Sequence, residues 1–113
     1  MRFLLVDEHV RDRDDIARLL EGAFDAVLTV ADTPEAYARA LAHQPVDCVL
    51  TEHALGWTEG RQVLRDVQAL WPGVPVIMVT GSDSQRVAVE GFRAGLTDYV
   101  RKDQIQDELP SGT

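Results

Sequence analysis

An apolar run that ends in a single carboxylate constrains the fold of this chain more than any other segment. Residues 46–51 are almost continuously apolar, and Glu52 follows them directly, before a glycine-containing loop that leads into a predicted helix. A run this short and this apolar indicates a strand buried on both faces, as in parallel sheets covered by helices. Ligand sites in such sheets lie beyond the carboxyl ends of the strands, so Glu52 marks a candidate site.

The rest of the chain alternates similar runs with helical patterns. The other predicted strands cover residues 2–6, 26–30, 74–79 and 96–101. Apolar residues recur at helical spacing between them, in three stripes. These stripes are Ile16, Leu19, Leu20, Ala23 and Phe24; Val63, Leu64, Val67, Leu70 and Trp71; and, more weakly, Val87, Ala88, Gly91 and Phe92. Strands that alternate with helices predict a three-layer α/β/α domain with a parallel sheet.

Two helix ends have specific signals. Thr33 is a suitable N-cap and Pro34 suits the first helical position, so the second helix begins there. Gly95 is a C-terminal cap for the fourth helix. A last segment, residues 103–109, predicts only a short or truncated fifth helix. We therefore expect one domain over residues 1–109 and a polar tail, 110–113, that leads to a further domain in the natural protein.

Composition excludes several classes of function. The net charge of −8 repels a phosphate backbone, so we expect this domain itself to bind no nucleic acid. No apolar run is long enough for a membrane span and no signal-like segment is visible, so a cytoplasmic location is expected. The single cysteine, Cys48, lies inside an apolar run and is read as a small buried hydrophobic residue.

Polar residues follow four of the predicted strands. Asp7 and Glu8 follow the first strand, Glu52 the third, Thr80 the fourth and Lys102 the fifth. Right-handed crossovers place all strand carboxyl ends at one edge of the sheet, so these residues should converge. Acids, a hydroxyl and an ammonium group suit phosphoryl transfer to a carboxylate, with a cation on the phosphoryl oxygens. Asp7 and Glu8 are the candidate ligands for a weak Mg²⁺ site, since Mg²⁺ prefers oxygen ligands.

Five segments, taken in order, resemble the receiver domain of two-component response regulators. The matching segments are residues 3–8, 47–52, 55–60, 76–81 and 94–102. The resemblance implies a flavodoxin-like fold with strand order 2-1-3-4-5. It also places Glu52 at the phosphoacceptor position, makes Thr80 and Tyr99 switch candidates, and assigns Thr80 and Lys102 to contact the phosphoryl group.

Two positions depart from the family pattern. Glu52 stands where the family has the phosphorylated aspartate, and Glu8 stands where it usually has a metal-binding aspartate. The added methylene gives each acid about 1.5 Å of extra reach, and misplacement on the order of 1 Å can cost about a hundredfold in rate. We therefore expect a pseudo-receiver and not an enzyme, in which Glu52 reaches toward Lys102 and Thr80 in place of an acyl phosphate.

The main alternative is a receiver that is competent for phosphorylation and takes phosphate from a histidine kinase with Mg²⁺. A flavin-binding domain is disfavoured because residues 7–11 are acidic or bulky where phosphate would need backbone amides. Each acid also has a plain structural interpretation: Asp7 and Glu8 as a solvated strand end, and Glu52 as an ion-pair partner of Lys102.

The expected partners are a histidine kinase or an output domain, in the same polypeptide or a separate one. In the family, such contacts and homodimers use the surface of the fourth helix, the fifth strand and the fifth helix. Here that surface includes Val87, Glu90, Arg101 and Ile105.

Overall fold

In the computed structural model, which describes residues 1–23, 25–81 and 84–104, five strands alternate with four helices. The strands are β1 (Arg2–Val6), β2 (Val27–Ala31), β3 (Cys48–Thr51), β4 (Val76–Thr80) and β5 (Asp98–Arg101). The helices are α1 (Val10–Ala23), α2 (Pro34–Leu41), α3 (Gly60–Leu70) and α4 (Gln85–Arg93), and a 3-10 turn, Lys102–Gln104, follows β5.

The strands form one parallel sheet in the order β2-β1-β3-β4-β5. This confirms the predicted fold class and strand order. Val6 at the end of β1 pairs with Thr51 at the end of β3, and Thr80 at the end of β4 pairs with Arg101 at the end of β5. The residues that follow these four strands therefore meet at one edge of the sheet.

Both faces of the central strands are buried, as the apolar runs predict. Leu4 packs into a core cluster with Leu64 of α3, whereas its neighbour Leu5 packs into a second cluster with Ile16 of α1. Successive side chains of a strand point to opposite faces, so a strand between two helical layers must be apolar at every position. Hydrophobic burial on both sides thus fixes the sheet that carries the site.

The predicted helix ends are confirmed at two places. The Thr33 side chain accepts a hydrogen bond from the Ala36 amide at 3.1 Å, and Pro34 occupies the first turn of α2. Gly95, just beyond α4, has a φ of 107°, a left-handed conformation that glycine adopts without strain.

Four strands differ from their predicted bounds. β2 is displaced by one residue, and β3 begins at Cys48 and not at residue 46. β4 runs from Val76 to Thr80 and so begins after Pro75, which has no amide hydrogen for the sheet. β5 begins at Asp98 because the Leu96 amide bonds to the carbonyl of Gly91 and so belongs to the turn after α4.

Two residues of the predicted apolar stripes are not in the core. Leu70 is 56% exposed and Phe92 is 48% exposed, so the prediction that they pack inward is wrong. Leu70 is the last residue of α3, and Phe92 is the last but one of α4. Phe24 and residues 105–113, which include Ile105 and most of the predicted fifth helix, lie outside the described residues. Within the described part of the chain, no helix has both the length and the apolar character needed to cross a membrane.

Candidate functional site

The carboxyl edge of the sheet brings together Asp7, Glu52, Thr80 and Lys102, as the sequence predicts. Asp7, Glu52 and Thr80 are buried, with 0%, 6% and 0% of their surface exposed. Lys102 follows β5 directly and its side chain is 14% exposed. Charged residues are seldom buried to this degree unless they are paired, so their partners determine what the site can do.

Glu52 is held by both of its carboxylate oxygens. Oε1 accepts a hydrogen bond from the Thr80 hydroxyl at 2.5 Å and another from the His53 amide at 2.9 Å. Oε2 lies 2.8 Å from the ammonium nitrogen of Lys102. Burial alone would raise the pKa of Glu52, but its hydrogen bonds to Lys102 and Thr80 outweigh burial and lower that pKa. Glu52 therefore carries a stable negative charge in contact with both groups.

Lys102 is surrounded by three carboxylates. Its ammonium nitrogen lies 2.7 Å from Asp7 Oδ2, 2.7 Å from Asp12 Oδ2 and 2.8 Å from Glu52 Oε2. Burial would lower the pKa of Lys102, but its close contacts with Asp12, Asp7 and Glu52 raise it above its ordinary value. The contact with Asp12 has the geometry of a hydrogen bond, whereas Asp7 Oδ2 meets Lys102 as an ion pair.

Asp12 is a member of this cluster that the sequence reasoning missed. It lies in the first turn of α1 and does not follow a strand, so the strand ends in the sequence did not point to it. Its Oδ2 nevertheless accepts a hydrogen bond from Lys102 at 2.7 Å. The sequence feature that could have identified it is its place in the first turn of a helix that begins four residues after β1, close to the carboxyl edge of the sheet. Asp7 Oδ1, on the other side, accepts from the His9 amide at 2.9 Å and lies 3.2 Å from His9 Nδ1.

Glu8 does not share this pocket with Asp7. Its Oε1 accepts a hydrogen bond from the Gly56 amide, in the loop after β3, at 2.6 Å. The acidic pair of the sequence therefore divides: Asp7 faces Lys102, whereas Glu8 faces the loop.

This arrangement does not suit a Mg²⁺ ion held by Asp7 and Glu8. The Lys102 ammonium group lies within 2.8 Å of Asp7, Asp12 and Glu52, so a cation between these acids would compete with it. The Glu8 oxygen that would complete the shell is bonded to an amide hydrogen instead. Asp7, His9 and Asp12 do bring ligand atoms within 4.8 Å of one another, but two of these three side chains contact Lys102.

The loop between β3 and α3 is closely packed against the site. Gly60, the first residue of α3, donates to the His53 carbonyl at 2.8 Å. A Cβ atom at Gly60 would lie only 2.7 Å from the Glu52 carbonyl oxygen, so this position has room for glycine alone. Trp57 packs on Tyr37 of α2, with ring centroids 5.4 Å apart. The backbone around Glu52 is therefore firmly placed.

Tyr99, the second switch candidate, lies in β5 and is half-buried against the core cluster beneath α3. Met78 of β4 pairs with it across the sheet, two residues before Thr80. The structure thus places Tyr99 on a strand next to Thr80, and its role as a switch residue stays a prediction.

Comparison with known proteins gives the family. The model of the response regulator receiver domain matches residues 3–112 of the chain. The hydrogenase transcriptional regulatory protein HoxA of Cupriavidus necator is 33% identical over 107 residues, which are 94% of this chain and 22% of HoxA. The transcriptional regulatory protein FixJ of Bradyrhizobium diazoefficiens is 27% identical over 105 residues, 93% of this chain and 51% of FixJ. The chain thus spans about a fifth of the length of HoxA and about half of the length of FixJ.

Solved structures share the fold. A signal receiver domain of an HD domain-containing protein from Pseudomonas fluorescens superimposes with a TM-score of 0.83 at 22% identity, over 95% of this chain and 86% of that one. A response regulator from Burkholderia pseudomallei, solved with a phosphorylated aspartic acid and a calcium ion, gives 0.79 at 19% identity, over 97% of this chain and 66% of that one. With the family model covering nearly its whole length, the chain belongs to the response regulator receiver domains of two-component signalling.

Proposed function

We propose that this receiver domain is a pseudo-receiver, a signalling module whose state is set by a permanent charge at Glu52 and not by phosphorylation. The observation that supports this is the bridge that Glu52 makes between the Thr80 hydroxyl, at 2.5 Å, and the Lys102 ammonium group, at 2.8 Å. These are the two groups that the family resemblance assigns to a phosphoryl group. In this chain the side chain of residue 52 already contacts both.

The charge at Glu52 resembles a phosphoryl group only in part. A carboxylate carries a charge of −1, whereas a phosphoryl group carries about −1.5 to −2 and has three oxygens. The lowered pKa of Glu52 keeps that charge in place at neutral pH. A ligand or charge biases a two-state protein only by its differential contacts in the two states. The contact with Thr80 is one that a shift of this residue would break, so we propose that it holds the domain in one state.

Glu52 is also poorly placed to accept phosphate. Both of its oxygens are engaged by donors, and an attack on a phosphoryl donor would require the carboxylate to leave Thr80 or Lys102. The Burkholderia relative carries its phosphoryl group on an aspartic acid, which is one methylene shorter. Positioning is most of what a protein contributes to phosphoryl transfer, so the longer acid acts against the reaction.

The partner of such a module is a histidine kinase or an output domain. The surface of α4 supports this, because Val89 and Phe92 are 47% and 48% exposed on it. Large apolar side chains clustered on a surface are typical of contacts with another protein. We propose this surface, together with β5, for a partner or for a homodimer.

The test is incubation of the domain with acetyl phosphate and Mg²⁺, followed by intact-mass measurement. The wild-type chain should gain no phosphoryl group, whereas the double variant Glu8→Asp/Glu52→Asp, which restores both shorter acids, should gain one. The control Glu52→Gln shows any modification at other residues. Stoichiometric addition to the wild type that is absent from Glu52→Gln would overturn the proposal and favour the phosphorylation-competent alternative.

A further inference from the structure

Glu8 joins two segments that are far apart in the sequence. It lies just beyond β1, and its Oε1 accepts a hydrogen bond from the Gly56 amide at 2.6 Å, across a separation of 48 residues. Hydrogen bonds from an amide to a carboxylate are shorter and roughly twice as strong as those between neutral groups. The end of β1 is therefore tied to the loop that follows Glu52.

Glycine at position 56 favours this contact because of space, not because of backbone conformation. The glycines with positive φ among the described residues are Gly73 and Gly95, and Gly56 is not one of them. A Cβ atom at Gly56 would lie 3.1 Å and 3.2 Å from the two carboxylate oxygens of Glu8. The Glu8 carboxylate thus lies directly against the loop backbone.

Backbone hydrogen bonds and one ring contact also hold the loop of residues 54–59. The Leu55 amide bonds to the Thr58 carbonyl at 3.1 Å, and Ala54 pairs with Glu59 in an antiparallel bridge. Trp57, next to Gly56, packs on Tyr37 of α2. Glu8 supplies the contact with β1 that these other bonds do not provide.

We propose that Glu8 is a positioning residue that fastens the loop of residues 54–59 to the end of β1, so that the loop keeps its conformation without a divalent cation. Lys102 contacts the carboxylates of Asp7, Asp12 and Glu52, and the Gly56 amide donates to the fourth carboxylate, that of Glu8. An aspartate at this position falls short of the amide by about 1.5 Å, the length of one carbon–carbon bond. The extra length of Glu8 therefore serves to position the loop, whether or not Glu52 accepts phosphate.

The first measurement is amide hydrogen exchange of Gly56 by NMR. In Glu8→Asp, exchange at Gly56 should become about tenfold faster or more, because the charge-assisted bond is lost. Glu8→Gln keeps the length but not the charge and should give a smaller increase. Gly56→Ala should move the indole N–H signal of Trp57. The matched control is Glu59→Gln, a glutamate of the same loop whose side chain makes no capping hydrogen bond, which should change neither signal.

The second measurement is titration with MgCl₂, followed by the amide signals of residues 8, 53 and 56. The wild type should give no saturable shift at millimolar Mg²⁺, and Glu8→Asp should gain one, because the shorter acid leaves the loop and turns toward the pocket. Unchanged Gly56 exchange in both Glu8 variants would overturn the inference, as would Mg²⁺ binding by the wild type that Glu8→Gln abolishes. Neither readout involves phosphate, so failure here is distinct from failure of the pseudo-receiver proposal.

Discussion

The pocket around Lys102 buries charged side chains, whereas the surface of α4 exposes apolar ones. In the pocket, Asp7 and Glu52 are buried with 0% and 6% of their surface exposed. On α4, Val89 and Phe92 are 47% and 48% exposed. Buried charges and exposed apolar groups are the informative exceptions in a globular protein, because each opposes stability unless it has a partner. The buried acids of the pocket have Lys102 as their partner, whereas Val89 and Phe92 stay exposed among the described residues, which is why we propose the α4 surface for a partner.

The largest expected effect comes from removing the cation at the centre of the pocket. Lys102→Met leaves buried acids without their counter-charge, so we expect a loss of about 3–5 kcal/mol in the free energy of unfolding at pH 7. Urea denaturation followed by circular dichroism measures it. The control is Arg18→Met, which breaks an exposed pair with Asp15 and should cost less than about 1 kcal/mol. Equal losses in the two variants would mean that burial gives the pocket no special role.

The pH dependence of stability gives an intermediate effect. The pKa of Glu52 is lowered by folding, so its contribution is present above the ordinary value of 4.5 and is lost as the pH falls through the folded pKa. The pKa of Lys102 is raised, so its contribution is present below 10.5 and is lost as the pH rises through the folded pKa. The unfolding midpoint in urea should therefore be flat from about pH 5 to about pH 10 with respect to these two groups.

The variant that isolates Glu52 in this profile is Glu52→Gln. It should lose stability at pH 7 and show a shallower decline between pH 5 and pH 3 than the wild type, since it has no carboxylate to protonate. The decline in stability at acid pH is measured for both proteins in the same buffers. An identical decline in the two proteins would mean that folding does not lower the pKa of Glu52.

The smallest effect on stability belongs to the α4 surface. Phe92→Ser should change the free energy of unfolding by less than about 0.5 kcal/mol, because an exposed side chain contributes little to the core. The same substitution should abolish any dimer detected by light scattering at high protein concentration. Leu70→Ser, at an equally exposed position on α3, is the matched control and should leave association unchanged. A dimer that persists in Phe92→Ser would mean that the interface lies elsewhere on the domain.

The sequence predicted the fold well because the fold depends on local patterns. Continuous apolar runs such as residues 46–51 mark strands buried on both faces, and Thr33 and Gly95 mark helix ends with groups that the backbone needs. The same patterns failed for Leu70 and Phe92, because periodicity identifies a face of a helix but not where near the helix end that face becomes exposed.

The site could be predicted only in part. Glu52, Thr80 and Lys102 follow strands directly, so the parallel topology brings them together, and their contacts are present. Asp12 and the bond from Glu8 to Gly56 depend on the angle of a helix and the path of a loop, which side-chain spacing in the sequence does not encode. The functional roles of all these residues stay predictions until the experiments above are done.

The contact between Lys102 and Asp12 spans 90 positions of the chain. Contacts this distant in sequence form only after the intervening polypeptide has been arranged, and they slow folding. As the chain is made from its amino terminus, Asp7, Asp12 and Glu52 all emerge before Lys102, whose ammonium group contacts all three. Their mutual repulsion therefore opposes closure of this edge until β5 pairs with β4 and brings Lys102 into place.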